Sequence, residues 1–207
     1  MLPEFDLWRP KTMGEALDML AEPDVMPIAG GTNVIVDLRA GKHYPLALVD
    51  ITRLAGLRGI RREDDHLIIG GGTTISDLLR DPLIAGHAPT LAQAAAVFAN
   101  PLIRNRATVG GNLADASPAA DTAPPLLALG AEVELTSRSS PKGGKGAARW
   151  VPLADFFVGA RATVRRPDEL LTAIRWRVPP ARTKSAFYKV GLRKADAISV
   201  LSAAVTV

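Results

Sequence analysis

The sequence has no cysteine. That excludes a disulfide framework, a Cys-ligated zinc site, an iron–sulfur cluster held by this chain and a cysteine nucleophile. Histidine is nearly as scarce: His43, His66 and His87 show no H-x-x-x-H spacing, so no histidine-rich metal site is expected. No apolar run approaches the length of a membrane span. The N-terminus, MLPEFDLWRPK, has two acids before its first basic residue and no apolar h-region, so it does not read as a signal peptide. A cytoplasmic protein is the expectation.

What is present is ordinary globular material. The 207 residues suffice for one large domain or two small ones with a real core. Apolar residues make up 47% and charged residues 22%, which argues against a disordered chain. The net charge of +4 is unevenly spread. Arg138 to Lys194 holds fourteen Lys and Arg against Asp155, Asp168 and Glu169, a window of +11 that leaves −7 elsewhere. The plain reading is a solvated basic surface with one loop. A face for an acidic partner or an anionic ligand is the next reading. Nucleic acid comes last, because the window has neither zinc-finger spacing nor an RNP-type aromatic motif.

Thr12-Met13-Gly14-Glu15 reads as a capping box, and Met13, Ala16, Leu17 and Leu20 continue it as an amphipathic helix ending before Pro23. Val25 to Ala29 and Leu46 to Ile51 read as buried strands. Leu57 to Arg62 and His66 to Ile69 flank Glu63-Asp64-Asp65 as a hairpin. A short helix is expected over Ile75 to Leu79. A second covers Leu91, Ala94, Ala95 and Phe98 and is stopped by Asn100-Pro101. Glu132 to Thr136, Leu170 to Val178, Ala186 to Val190 and Ile198 to Val207 read as strands, with a subdomain boundary at Pro179-Pro180. Arg138 to Arg149 reads as a basic, Gly-rich surface loop; no G-K-[ST] follows its glycines, so it is a poor phosphate loop. The sequence stops at Val207 inside a strand-like run, so a fragment, or a C-terminal domain not included, is expected.

Three Gly-rich turns each follow what reads as an apolar strand: Gly30-Gly31-Thr32-Asn33, Gly70-Gly71-Gly72-Thr73, and Thr108-Val109-Gly110-Gly111-Asn112. Without a Cβ, successive N–H groups can approach an anion closely and form a nest for phosphate oxygens. Tight turns between strands are the alternative. The first and third share a Gly pair flanked by Thr and Asn, which points to a ligand, and facing each other they would clamp a pyrophosphate. None is a G-x-G-x-x-G, and no Walker A motif is present.

Ala29-Gly30-Gly31-Thr32-Asn33, then Ile103-Arg104-Asn105-Arg106-Ala107-Thr108-Val109-Gly110-Gly111-Asn112-Leu113 with Ala116-Ser117-Pro118 and Asp121, resemble the FAD-binding medium subunit of molybdenum hydroxylases, the xanthine dehydrogenase and aerobic carbon monoxide dehydrogenase family. The resemblance runs over essentially the whole chain. It implies an α+β protein with a two-subdomain, PCMH-type FAD-binding fold of mixed sheets. Residues 1–55 would be the first subdomain, 56–178 the second, and 179–207 the start of an incomplete C-terminal α+β domain.

It also implies a site. Gly30, Gly31, Thr32 and Asn33 would contact the FAD pyrophosphate, with Ala29 and Ile35 lining it; Asn33 stands where many relatives have Ser. Thr108 and Gly111 would serve the phosphates, with Ala114 beside them, and Asn112 would shape the turn. Asp121 would hold the adenosine ribose; a helix N-cap before Pro124 is its other reading. Phe98, Ala99 and Leu171 match positions near the cofactor, although Phe98 equally suits core packing. Lys189 matches a lysine near the flavin ring, where a cation favours the reduced, anionic flavin; a solvated strand lysine is the alternative. Arg104 and Arg106 suit phosphate, a partner or the surface. Asp37, Asp50 and the histidines have no constellation around them.

The implied function is electron transfer. A molybdopterin-containing large subunit oxidises substrate, a small subunit with two [2Fe–2S] clusters relays electrons, and FAD here hands them to NAD, a quinone or another acceptor. The absence of Cys agrees with that division and disfavours relatives carrying an extra cluster on the flavin subunit. A stand-alone flavin oxidase, an FAD-free scaffold of the same fold and a nucleic-acid binder remain alternatives.

Overall fold

The structure, a computed structural model, describes residues 2–138, 147–193 and 196–207. Most of the basic, Gly-rich loop (139–146) and residues 194–195 lie outside the described residues.

Strands β1 (Asp6–Trp8), β2 (Val25–Ile28) and β3 (Ala47–Asp50) form a parallel sheet in the order β1-β3-β2. Helix α1 (Met13–Leu20) connects β1 to β2, and α2 (Val34–Arg39) connects β2 to β3. The Thr12 hydroxyl caps α1 by accepting from the Glu15 N–H at 3.1 Å. The Glu15 carboxylate accepts from the Lys11 N–H, one residue earlier than a capping box requires. Ala16, Leu17 and Leu20 pack on Val25, Ala47 and Val49. Being the central strand of a parallel sheet, β3 is buried from Ala47 to Val49.

The second sheet is antiparallel, in the order β4-β5-β10-β6-β7, from β4 (Ile60–Glu63), β5 (His66–Gly70), β6 (Glu132–Ser137), β7 (Ala148–Pro152) and β10 (Glu169–Arg177). The small pair β8 (Phe157–Gly159) and β9 (Ala162–Thr163) lies between β7 and β10 in sequence. The expected β4–β5 hairpin turns at Asp64, whose φ of 52° is one that Asp tolerates. Helices α3 (Ile75–Arg80), α4 (Pro82–His87), α5 (Pro89–Ala96), α6 (Pro101–Arg104), α7 (Val109–Ala114), α8 (Ala123–Ala128) and α9 (Leu153–Phe156) complete this part. Leu67, Ile69, Ile174 and Trp176 of the sheet share a core with Ile75, Leu91, Leu113 and Leu126. The α+β class holds, with parallel and antiparallel pairing kept in separate sheets.

Two expectations need correcting. Asn100-Pro101 does not only end a helix; it starts α6, with the Asn100 side chain accepting from the Ile103 N–H at 3.0 Å and Pro101 in the first turn. Nor is the third Gly-rich segment a turn after a strand. Gly110 and Gly111 lie inside α7, capped by the Thr108 hydroxyl, and helix α6 precedes them.

Strands β11 (Ser185–Gly191) and β12 (Ser199–Thr206) form an antiparallel hairpin packed on α5 and α8. The Gln93 side chain accepts from the Phe187 N–H at 2.8 Å and fixes its position on α5. Tyr188, Val190, Leu201 and Val205 face away and are exposed. Among the described residues no helix is long and apolar enough to cross a membrane.

Among the described residues most of the cations of the basic window are paired with acids. Arg138 pairs with Asp18, Arg161 with Asp115, Arg175 with Glu132, Arg177 with Asp65 and Lys189 with Asp121. Much of the −7 found elsewhere in the chain is therefore spent on this window.

Its firmest point is Glu169, only 1% exposed, at the start of the central strand β10. The Arg149 guanidinium donates to both carboxylate oxygens at 2.7 and 2.9 Å, and the Arg166 N–H and guanidinium add 2.8 and 2.9 Å bonds. Burial alone would raise this carboxyl, but these donors hold it down to about 2. A depressed folded value stabilises the protein above the ordinary carboxylate range and is lost as pH falls toward 2. Glu169→Gln is expected to cost on the order of 3 kcal/mol at pH 7, with the gap to the parent closing below about pH 3. Urea unfolding at several pH values measures this; equal stabilities at neutral pH would refute it.

Candidate functional site

The middle Gly-rich turn is a floor, not a ligand loop. A bulge between Leu171 and Ala173 in β10 aims the Thr172 carbonyl at the Gly71 N–H, 2.8 Å away. A Cβ on Gly71 would lie 2.3 Å from the Leu171 carbonyl oxygen. One on Gly110 would lie 2.6 Å from the Gly71 carbonyl oxygen, which instead accepts from the Gly110 N–H at 2.9 Å. Helix α7 thus rests on the Gly71 turn, which rests on β10. Leu171 is buried in this stack and offers no open face.

The first turn is pressed against the segment entering α7. A Cβ on Gly30 would fall 2.0 Å from the Arg106 carbonyl oxygen, and Arg106 Nε donates to the Gly30 carbonyl at 3.1 Å. Gly31 follows with φ 71°, flanked by Ile28 and Ile35. Ala29 packs on the first core. Among the described residues no acceptor is bonded to the N–H groups of Gly30, Gly31, Thr32 or Asn33. Four successive open amides beside a left-handed glycine make a concavity suited to phosphate oxygens.

The third segment contributes differently from expectation. The Val109, Gly110 and Gly111 amides are already bonded, to the Thr73 and Gly71 carbonyls and the Thr108 hydroxyl. What remains for a ligand is the Thr108 hydroxyl hydrogen and the exposed Gly111 surface. The Asn112 Oδ1 accepts from the Thr122 hydroxyl at 2.6 Å, joining α7 to the start of α8. Ala114 is the half-buried last residue of α7.

At the other end Asp121 and Lys189 meet at 2.6 Å, each side chain 7% exposed. Lys189 Nζ also donates to the Val97 carbonyl at 3.3 Å, next to Phe98 and Ala99. Lys189 is not a solvated strand lysine, and Asp121 neutralises it, so an uncompensated cation beside a flavin does not follow. Nor is Asp121 a helix cap: Thr122 occupies the N-cap of α8. Burial lifts the Asp121 carboxyl above the usual carboxylate range, opposed by the Lys189 ammonium. Its second oxygen, Oδ1, is buried without a partner among the described residues. Phe98 is half-buried against the core beyond the end of α5. Ala99 holds φ 37°, and the Arg104 guanidinium bonds the Ala96 and Phe98 carbonyls at 3.0 Å, fixing this turn. Arg104 and Arg106 therefore shape the two turns.

Sequence reasoning missed a charged cluster beside the first turn. Asp37 lies 2.6 Å from Lys42 and 3.4 Å from Arg161, and the hydrogen bond from the Lys42 ammonium holds its carboxyl below the usual range. Arg161 also bonds Asp115, which accepts from Asn33. No local motif marks these residues. Among the described residues no cluster of His, Cys, Asp or Glu is placed to hold a metal ion.

Residues 3–180 match the family described as the FAD binding domain in molybdopterin dehydrogenase. The chain belongs to that family. It is 37% identical over 199 residues to the xanthine dehydrogenase FAD-binding subunit of Escherichia coli O157:H7, covering 95% of this chain and 66% of that one. It is 35% identical over 208 residues to the carbon monoxide dehydrogenase medium chain of Afipia carboxidovorans, covering 99% and 70%. The reconstituted carbon monoxide dehydrogenase from Oligotropha carboxidovorans superposes with a TM-score of 0.92 at 36% identity, over 100% of this chain and 70% of that one. Quinoline 2-oxidoreductase from Pseudomonas putida 86 gives 0.90 at 29% identity, over 99% and 68%. The chain thus spans about two thirds of the length of the relatives it matches.

Two features of this structure fit FAD as a member of this family would hold it. The open amides of Gly30 to Asn33 suit a pyrophosphate, and the orphaned Asp121 oxygen suits a hydroxyl donor such as a ribose. The Asp121–Lys189 pair can be separated from that role. Either Asp121→Leu or Lys189→Met alone leaves a buried charge, at an expected cost of about 3–5 kcal/mol. The double variant is expected to regain most of that stability in urea unfolding while FAD affinity stays reduced. A double variant that binds FAD as the parent does would remove Asp121 from the site.

Proposed function

We propose that this chain is the FAD-binding electron-transfer subunit of a cytoplasmic molybdenum-dependent hydroxylase or dehydrogenase. In this reading it takes electrons from the [2Fe–2S] clusters of a small partner subunit, fed by a molybdopterin-containing large subunit. It passes them to an external acceptor such as NAD or a quinone. The observation that carries the reading is the run of open amides at Gly30 to Asn33, pressed by backbone contact against the segment entering α7. The dehydrogenase names of the relatives support the assignment to a multisubunit complex.

Residues 1–55 and 56–178 supply the two sides of the cradle, and 179–207 supply Lys189. When bound, FAD supplies the redox chemistry, exchanging electrons with one-electron and two-electron partners. The chain's own residues bind and orient. Gly30, Gly31, Thr32 and Asn33 donate N–H groups to the pyrophosphate; Thr108 adds its hydroxyl. Asp121 accepts from the ribose while Lys189 holds that carboxylate in place. The Phe98–Ala99 turn, fixed by Arg104, borders the site.

The test uses the complex assembled with its partner subunits. Its visible spectrum is expected to show flavin bands, with FAD released into the supernatant on denaturation. The complex is then stripped of flavin, reduced with dithionite, desalted and mixed with NAD or a quinone. Cluster reduction is expected to persist while delivery to the acceptor falls at least tenfold and returns when FAD is added back. Unchanged delivery from the flavin-free complex would overturn the reading.

A further inference from the structure

The cradle is assembled from segments far apart in sequence, and one side chain ties them together. Arg161 follows β8 in a turn where its own φ is 59°. Its N–H donates to the Ala116 carbonyl at 2.8 Å, and Ala116 itself holds φ 48°. Two non-glycine residues thus sit in the left-handed region on either side of one hydrogen bond. Such conformations persist where the surroundings enforce them, and they cluster at ligand clamps. The consequence here is the position of the guanidinium. It bonds Asp115 Oδ1 at 2.7 Å and reaches Asp37 Oδ2 at 3.4 Å.

Asp115 has that cation as its charged partner, while Asp37 shares it with the closer Lys42. Asp37 and Asp115 are 10% and 15% exposed in their side chains, while Arg161 is 47% exposed. Asp115 is the residue at the C-terminal end of α7, where helix carbonyls make a carboxylate unfavourable. Its other oxygen, Oδ2, accepts from Asn33 Nδ2 at 2.7 Å. Among the described residues that is the one side-chain bond from the open turn to α7. The order is therefore Arg161, Asp115, Asn33, and then the amides of the first turn.

We infer that Arg161 is a positioning residue for the cofactor cradle: it holds Asp115, and Asp115 holds the Gly30–Asn33 turn in register with α7. Arg161 touches no ligand in this scheme and acts only through Asp115. The inference rests on the reading of the open turn as the pyrophosphate site.

The test is a set of variants of the full chain, stripped of flavin and titrated with FAD. Arg161→Ala is expected to raise the FAD dissociation constant about tenfold. Asp115→Ala should do the same, and the two together no more than either alone, because they act in series. Arg161→Lys, which keeps the cation, should recover part of the loss. Arg61→Ala, which removes an exposed ion pair with Glu63, should leave binding unchanged. A parent-like affinity for Arg161→Ala, or additive effects of Arg161→Ala and Asp115→Ala, overturns the inference. If Arg161→Ala does not fold, the same comparison is made with Arg161→Lys and Asp115→Asn: additive losses overturn it, non-additive losses support it. A second readout needs no cofactor. In urea unfolding of the flavin-free chain, Asn33→Ala and Asp115→Ala should be coupled with Arg161 present and less coupled with Arg161→Lys. Coupling that survives intact counts against the clasp. Failure of the parent itself to bind FAD, with that coupling behaving as described, would remove the pyrophosphate reading and leave the clasp standing.

Discussion

Backbone pressed on backbone is the constraint from which the rest of this molecule follows. Gly71 meets the Leu171 carbonyl, Gly110 meets the carbonyl of Gly71, and Gly30 meets that of Arg106. Each approach leaves no room for a Cβ. Together they stack the antiparallel sheet, the Gly71 turn and α7, and then seat the first turn beside α7. The open amides of Gly30 to Asn33 have their place only because these contacts bring two distant stretches of chain together. Side chains then finish the arrangement, with Arg104 and Arg106 on carbonyls, Arg161 on carboxylates and Lys189 on Asp121.

The strained residues mark the same region. Among the described residues six non-glycine residues have positive φ. Three are Asp24, Asp64 and Asp196, a residue type that tolerates the left-handed region in turns. The other three, Ala99, Ala116 and Arg161, have no such excuse, and all three border the cradle. A side chain that disfavours its own backbone conformation is held there by its neighbours.

Much of the fold was legible in the sequence where signals were local. The T-x-x-E start and the stripe after it located α1, and alternation or apolar runs located β3, β6 and β10. The hairpin at Asp64 followed from its acidic turn. Helix α7 was not legible, because two glycines in six residues argue against a helix, and tertiary contact at Gly110 overrides that propensity. The first turn was readable because glycine, threonine and asparagine announce an open backbone. The Asp37–Arg161 contact was not, since the partners stand 124 positions apart and carry no motif. Charge counting located the basic window but could not see that Arg138, Arg161, Arg175 and Arg177 are matched by acids drawn from the rest of the chain.

The backbone stack also bears on how such a protein can change over generations. A contact between two main chains is indifferent to nearly every substitution of its neighbours' side chains. Only replacement of the glycines themselves disturbs it. The cradle is therefore sheltered from ordinary mutational drift, while the exposed surfaces around it stay free to diverge.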